Sequence, residues 1–233
     1  MDFSPPLQRG VLVKRYKRFL ADVVLDSGQE VTAHCVNTGA MLGIKDPGTI
    51  VYLSHSPSPT RKLAYTYEMA AVDNTLVGAN TSHPNKLVYT ALQNQKLEPF
   101  KAYRDVKREA KINDKTRLDF LLKEDGLPDC YVEVKNVHYK DGEIARFPDS
   151  VTTRGAKHMM ELLELKQQGF RCAVVYVVQR DDCAEFGLAS KIDPDYAKAT
   201  IEAYHGGVEL YAYSCNLTPN SITLSQLLPL DLN

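Results

Sequence analysis

The sequence predicts a mixed α/β protein of two domains, an OB-like β-barrel over residues 1–80 and an α/β domain over residues 81–233. Three observations predict it. Short β-rich runs separated by turn signals fill the first third of the chain. The pattern changes to helical periodicity after Thr81-Ser82-His83-Pro84. Further on, a continuous apolar run from Phe170 to Val178 follows a capped helix, as a strand buried on both faces would. With 233 residues, 44% hydrophobic and 24% charged, the chain can bury one or two cores and shows neither a disorder bias nor a fibrous repeat.

Taken in order, residues 19–25 and 30–35 flank Ser27-Gly28 as a hairpin, and residues 49–54 and 63–72 supply further strands of a barrel of about five. Residues 85–95 lack glycine and proline and place Leu87, Ala91 and Leu92 on one helical face. Residues 103–111 and 117–122 read as strands, Asp125-Gly126 as a turn, and residues 131–137 as the returning strand. Thr152 or Thr153 can cap a helix reaching about residue 168, with Ala156, Met159, Met160 and Leu163 as its apolar stripe and Gly169 as its stop. Asp193-Pro194 opens a last helix that Gly206-Gly207 closes.

The 28 Lys and Arg residues nearly cancel the 29 Asp and Glu, which excludes a protein that coats nucleic acid by global charge. Any such contact must use local patches. The five cysteines are odd in number and widely spaced, without the close pairs of a zinc or redox motif, and read as reduced, buried thiols of a cytoplasmic protein. No basic, then apolar, leader is present at the start, and no apolar stretch reaches bilayer-spanning length, so no membrane partner is expected.

The chemistry centres on the second hairpin. Period-two alternation puts Glu133 and Lys135 on one strand face, and a turn centred on Gly126 sets Asp119 opposite Glu133. Two carboxylates beside a lysine suit phosphodiester hydrolysis. Asp119 and Glu133 are the candidate ligands of Mg²⁺ or Mn²⁺, and Lys135 the group that orients water or offsets developing charge. The same trio also reads as a cross-strand salt bridge on a sheet surface. Strand context is what selects it, because a second E-x-K, Glu164-Leu165-Lys166, lies on a helix where positions two apart diverge. Glu109 is a candidate auxiliary ligand.

Two basic clusters are candidate nucleic-acid contacts. On the helix after Asp149, Arg154, Lys157, His158 and Glu161 form a polar stripe that reads either as a solvated face or as a phosphate grip near the positive helix end. In the barrel, Arg15, Lys17 and Arg18 lie in the basic and aromatic run 14–19, to which Arg61 and Lys62 add. This run suits phosphate contact with base stacking, or an edge strand protected by its charges.

Residues 13–22 (VKRYKRFLAD), 34–41 (HCVNTGAM), 117–122 (RLDFLL), 131–136 (YVEVKN) and 147–158 (FPDSVTTRGAKH) resemble the sugar fermentation stimulation protein A family over nearly the whole chain. The resemblance implies an OB-like domain joined to a PD-(D/E)XK nuclease-type domain with Asp119, Glu133 and Lys135 on its signature. It also implies sequence-non-specific DNA binding in the nucleoid and a regulatory link to sugar (maltose) metabolism. Related nucleases often add an acid on the first core helix, where the matching stretch here is Val88-Tyr89-Thr90-Ala91, which turns attention to Glu109. Three functions follow as expectations: a metal-dependent DNA nuclease, a non-enzymatic DNA-binding transcriptional regulator on a nuclease scaffold, and an OB-type RNA-binding module whose second domain mediates assembly. A homodimer is left open.

Overall fold

The computed structural model describes residues 1–114 and 116–232. Its first unit is a barrel of β1 (Gln8–Tyr16), β2 (Leu20–Leu25), β3 (Glu30–His34), β4 (Ile50–His55) and β5 (Tyr65–Val72), with β6 (Thr75–Gly78) added outside β5. The order β3-β2-β1-β4-β5 closes on itself through a parallel β3–β5 pairing, Ala33↔Tyr65 and His34↔Thr66, giving the expected OB-like barrel. Gly28 takes φ +84° at the tip of the β2–β3 hairpin, a conformation that glycine alone adopts without cost. Leu12, Val23, Val51, Leu53 and Tyr67 fill the interior.

The β4 pairing covers only residues 8–11 of β1, so residues 14–16 pair with β2 alone and the run 14–19 is a strand edge and the turn after it, as the edge-strand reading expects. Arg61 and Lys62 lie in the connection between β4 and β5 instead of on a strand. Residues 1–7 leave the barrel altogether. Phe3 and Leu7 donate backbone hydrogen bonds to Asn220 and Pro219 of the second unit, and Leu7 joins the apolar cluster there.

The second unit is a six-stranded mixed sheet between helices. Along the chain come α1 (His83–Gln93), β7 (Asp105–Lys111), β8 (Arg117–Lys123), β9 (Cys130–Val137), β10 (Lys140–Asp141), β11 (Ile144–Phe147), α2 (Thr153–Gln167) and β12 (Arg171–Val178), followed by β13 (Glu185–Leu188), α3 (Pro194–His205), β14 (Glu209–Thr218), β15 (Ser221–Leu228) and β16 (Leu230–Asp231). The sheet order is β15-β14-β12-β9-β8-β7, and β12 pairs in parallel with both β9 and β14. Being central, β12 is buried on both faces: Val174, Tyr176 and Val178 face the α2 and α3 side, while Ala173, Val175 and Val177 face α1. Thr152 caps α2 by accepting from the Gly155 N–H, and Asp193 caps α3 by accepting from Tyr196.

The small sheet of order β10-β11-β13-β16 goes beyond the sequence reading because its strands of two to four residues carry too little periodicity to read, and the longer β14 and β15 lie outside that reading too. The polar stripe of α2 is also corrected. Arg154 and Lys157 are exposed, but His158 and Glu161 are buried among the core residues of that helix. All five cysteines are buried free thiols.

The two units are joined by polar contacts at a few defined points. Gly78 N–H donates to the Gln179 carbonyl (2.8 Å), and the Gln179 amide donates to Asn80 O (3.2 Å) and to Asn136 Oδ1 (2.5 Å) on β9. On another side, Met41 N–H of a barrel loop donates to the Asp149 carboxylate at 2.7 Å.

Gly10 shows how tightly the barrel packs. It faces Leu25 on β2 and Val51 on β4, and a Cβ there would lie 2.7 Å from the Val24 carbonyl oxygen. Gly10→Ala is therefore predicted to cost about 1–3 kcal/mol, the usual penalty of overpacking. Urea unfolding checks this, and an unchanged midpoint would contradict it.

Candidate active site

β8 and β9 pair through Phe120↔Val132, Leu121↔Tyr131 and Leu122↔Cys130, the register in which partner numbers sum to 252. The ladder stops there. Val134 N–H, left without a strand partner, donates instead to Asp119 Oδ2 at 2.8 Å. Asp119 Oδ1 accepts from the Asn85 side-chain amide of α1 at 2.6 Å. The parting of the two strands thus opens a fork with Asp119 on one prong and Glu133 on the other.

Glu133 is buried and its Oε1 takes two partners, Lys135 Nζ at 2.7 Å and His158 Nδ1 at 2.6 Å. Arg154 Nε donates to His158 Nε2 at 3.3 Å, so that nitrogen presents its lone pair and Nδ1 carries the proton. The imidazole then donates from Nδ1 to Glu133. Glu133 Oε2 accepts no hydrogen bond among the described residues. Behind this pair, buried Glu161 accepts from Thr116 Oγ1 at 2.6 Å, and Lys157 Nζ lies 3.3 Å from the same carboxylate.

The two carboxyls are driven apart electrostatically. Burial, and then the charge of Glu133, push the Asp119 carboxyl up to about 6. Burial would raise Glu133 as well, but Lys135 and His158 outweigh it and hold that carboxyl below the ordinary glutamate value. Glu133 is therefore the committed anion, and Asp119 the carboxylate that lacks a cation.

Asp119, Glu133, Lys135 and His158 come together as one cluster, with Arg154 and Lys157 at its exposed rim. The salt-bridge reading of the trio is correct in part, since Lys135 and Glu133 do pair, but along one strand and in the interior. Glu109 of β7, exposed at φ +55°, falls at the register position opposite Asp119, between the pairs Arg108↔Phe120 and Ala110↔Leu118, and makes no hydrogen bond or ion pair with the cluster among the described residues. Asn85 is the residue that α1 brings to Asp119, and sequence reasoning missed it because one Asn at a helix start carries no distinguishing signal. Among the described residues no group of three or more His, Cys, Asp or Glu side chains is arranged to hold a metal.

The barrel cations are held differently. Arg15 Nη2 donates to the carbonyls of Arg18, Asn37 and Gly39 at 2.7–3.1 Å, and Arg18 Nε donates to Thr38 O at 2.8 Å. These two guanidiniums pin the 37–39 loop. Lys17 is exposed on the turn, Arg61 donates to Thr66 Oγ1 at 2.9 Å, and Lys62 is exposed. None of them contacts the cluster.

Residues 13–79 match the SfsA N-terminal OB domain and residues 82–221 match the sugar fermentation stimulation protein RE domain. This chain belongs to the sugar fermentation stimulation protein family. The family assignment extends to full-length relatives called sugar fermentation stimulation protein homolog. That of Paramagnetospirillum magneticum is 48% identical over 232 residues, covering 100% of this chain and 98% of the relative. That of Rhodospirillum rubrum is 47% identical over 243 residues, covering 99% of each. The structure of Pyrococcus furiosus SfsA in complex with Ca²⁺ superimposes with a TM-score of 0.90 at 26% identity, over 99% of this chain and 98% of that one. As a sugar fermentation stimulation protein, the chain thus pairs an OB domain with an RE domain, the fold expected from its sequence.

The raised Asp119 carboxyl gives a signed stability prediction. Its ordinary value is 3.8 and its folded value is about 6, so ionisation opposes folding. That cost is absent below the ordinary value, grows as pH rises between the two, and is complete above the folded one. Asp119→Asn removes it. In metal-free buffer the variant should melt above wild type at neutral pH, with the difference fading as pH falls to about 4. A variant melting at or below wild type at neutral pH would contradict the assignment.

Proposed function

We propose that the protein is a DNA-binding phosphodiesterase whose Asp119 and Glu133 hold a Mg²⁺ or Mn²⁺ ion beside Lys135. The observation that carries this reading is the convergence of buried Glu133 and half-buried Asp119 at the β8–β9 fork, where burial and then the charge of Glu133 raise the Asp119 carboxyl. One or two carboxylates with retained waters suit Mg²⁺, and Glu133 Oε2 has no competing hydrogen bond among the described residues, so the residues present fit the ion. The Ca²⁺ held by the Pyrococcus furiosus relative supports a divalent site in this fold.

When bound, the ion supplies Lewis acidity to a phosphate and lowers the pKa of a coordinated water. Lys135 Nζ, held against Glu133, is placed to offset negative charge developing on the phosphate oxygens. His158 acts through Glu133 by fixing its rotamer, and Arg154 fixes His158 in turn. Arg154 and Lys157 at the rim grip the phosphodiester backbone, with Lys17 and Lys62 of the barrel as further contacts. Arg15 and Arg18 contribute by shaping the 37–39 loop. Such contacts read no base edge, so binding is sequence-non-specific.

One observation favours a second reading, that of a non-catalytic DNA-binding regulator: α1 presents an amide, Asn85, to Asp119, and not a third carboxylate. The name shared by the relatives, sugar fermentation stimulation protein homolog, supports a role in sugar catabolism under either reading.

The deciding experiment incubates purified protein with supercoiled and linear DNA with and without Mg²⁺ or Mn²⁺, beside Asp119→Ala and Lys135→Ala. The expected result is cleavage that needs the metal and vanishes in both variants. Equal cleavage by wild type and variants would defeat the enzymatic reading in favour of the regulator. For binding, Arg154→Ala with Lys157→Ala should weaken affinity alike across DNA sequences and lower the slope of log affinity against log salt by about two. Fluorescence anisotropy over a salt series measures it, and an unaltered slope would remove these residues from the interface.

A further inference from the structure

A cavity of about 480 Å³ opens between α1 and β15, away from the carboxylate fork and bordered by β7. Roughly 300–1,000 Å³ is the usual size of a small-ligand site. Lys86 and Lys96 from the α1 side and Arg108 of β7 line it, and no carboxylate does among the described residues. None of these three cations forms an ion pair with a carboxylate among the described residues. A lining with three cations and no carboxylate is electropositive and attracts an anion.

The rest of the wall narrows the anion to one class. The Arg108 guanidinium lies over the Tyr89 ring, 5.1 Å from its centroid, and Tyr89 itself stacks on Phe120 at 6.1 Å with an interplanar angle of 9°. The Arg108 guanidinium and the Tyr89 ring, with Phe120 buried behind them, give the cavity wall a planar surface of the kind on which a nucleobase stacks. Thr223 and Ser225 of β15 add hydroxyls to the lining, suited to a sugar, and Leu87, Ala91, Leu97 and Leu224 add apolar surface. A simple inorganic anion would leave the ring and the apolar surface unused.

We infer that this cavity is a nucleotide pocket, with its cations taking a terminal phosphate and the Arg108–Tyr89 platform taking the base. The pocket is tied to the candidate active site through α1. Tyr89 follows Asn85 by one helical turn, and Phe120, beneath Tyr89, adjoins Asp119 in sequence. A nucleotide seated here lies along the same short helix that positions Asp119. The nucleotide can come from two sources, the phosphorylated end of a strand or a free mononucleotide. The pocket goes beyond the phosphodiesterase reading and stands without it, since its residues are separate from the carboxylate fork.

The test uses full-length protein in chelator, where no cleavage can occur. Affinities are measured for a short thymidine oligonucleotide with a 5′-phosphate, its 5′-hydroxyl twin, and thymidine monophosphate. Wild type is compared with Lys96→Ala/Arg108→Ala, both exposed positions whose loss leaves the core intact, and with Tyr89→Leu. A margin of about tenfold or more for the phosphorylated oligonucleotide, erased by the double variant and reduced by Tyr89→Leu, supports a strand-end pocket. Thymidine monophosphate binding with the same dependence, and no 5′-phosphate margin, supports a pocket for free nucleotide. If neither the margin nor mononucleotide binding depends on Lys96 and Arg108, or if wild type shows neither, the pocket is refuted, whatever the cleavage assay shows.

Discussion

A buried carboxylate must be compensated, and the compensation of Glu133 organises the second domain. Stripped of water, a lone ionised glutamate would cost several kcal/mol or would take up a proton. Lys135 answers from the same strand and His158 from α2, both on one oxygen. This requirement sets the rotation of α2, which must turn an imidazole and a second carboxylate, Glu161, toward the sheet and not toward water. Thr152 and its cap, Asp193 and the small sheet beneath then follow as the supports that hold α2 at that rotation.

The same logic explains why the neighbouring strand is built differently. Asp119 has no cation of its own and relies on two neutral donors, the Val134 N–H and the Asn85 amide. Neutral donors hold the carboxylate in place without cancelling its charge. The site therefore keeps an electrostatic imbalance that a divalent ion would relieve, at the expense of folding stability near neutral pH. Gln179 connects this arrangement to the barrel, its side chain donating to Asn136 beside Lys135 and to the Asn80 carbonyl, and its backbone carbonyl accepting from Gly78 N–H. The barrel is thereby tied to the strand that carries Glu133 and Lys135.

Much of this was legible in the sequence, for identifiable reasons. Asp125-Gly126 is strong turn chemistry, and Gly126 does adopt φ +78°, so counting outward from it gave the observed register and brought Asp119 and Glu133 to one fork. The continuous apolar run of β12 could only belong to a strand covered on both sides. What could not be read depends on tertiary partners. A polar stripe on α2 has the same pattern whether it faces water or a buried glutamate, so the inward turn of His158 and Glu161 was invisible. Asn85 acquires its role only through a residue 34 positions away. Likewise, Arg15 and Arg18 resemble phosphate contacts in sequence but in space clasp the carbonyls of their own loop.

Under the phosphodiesterase reading, Asp119 and Glu133 share one divalent cation at the β8–β9 fork. The most direct measurement is anomalous diffraction from crystals of the wild-type protein grown with Mn²⁺. The predicted result is a single strong Mn²⁺ peak within coordination distance of both carboxylates, absent from Asp119→Asn crystals grown alike. A fork without a peak, or a peak held by other residues while Asp119 and Glu133 keep only their present partners, would contradict it.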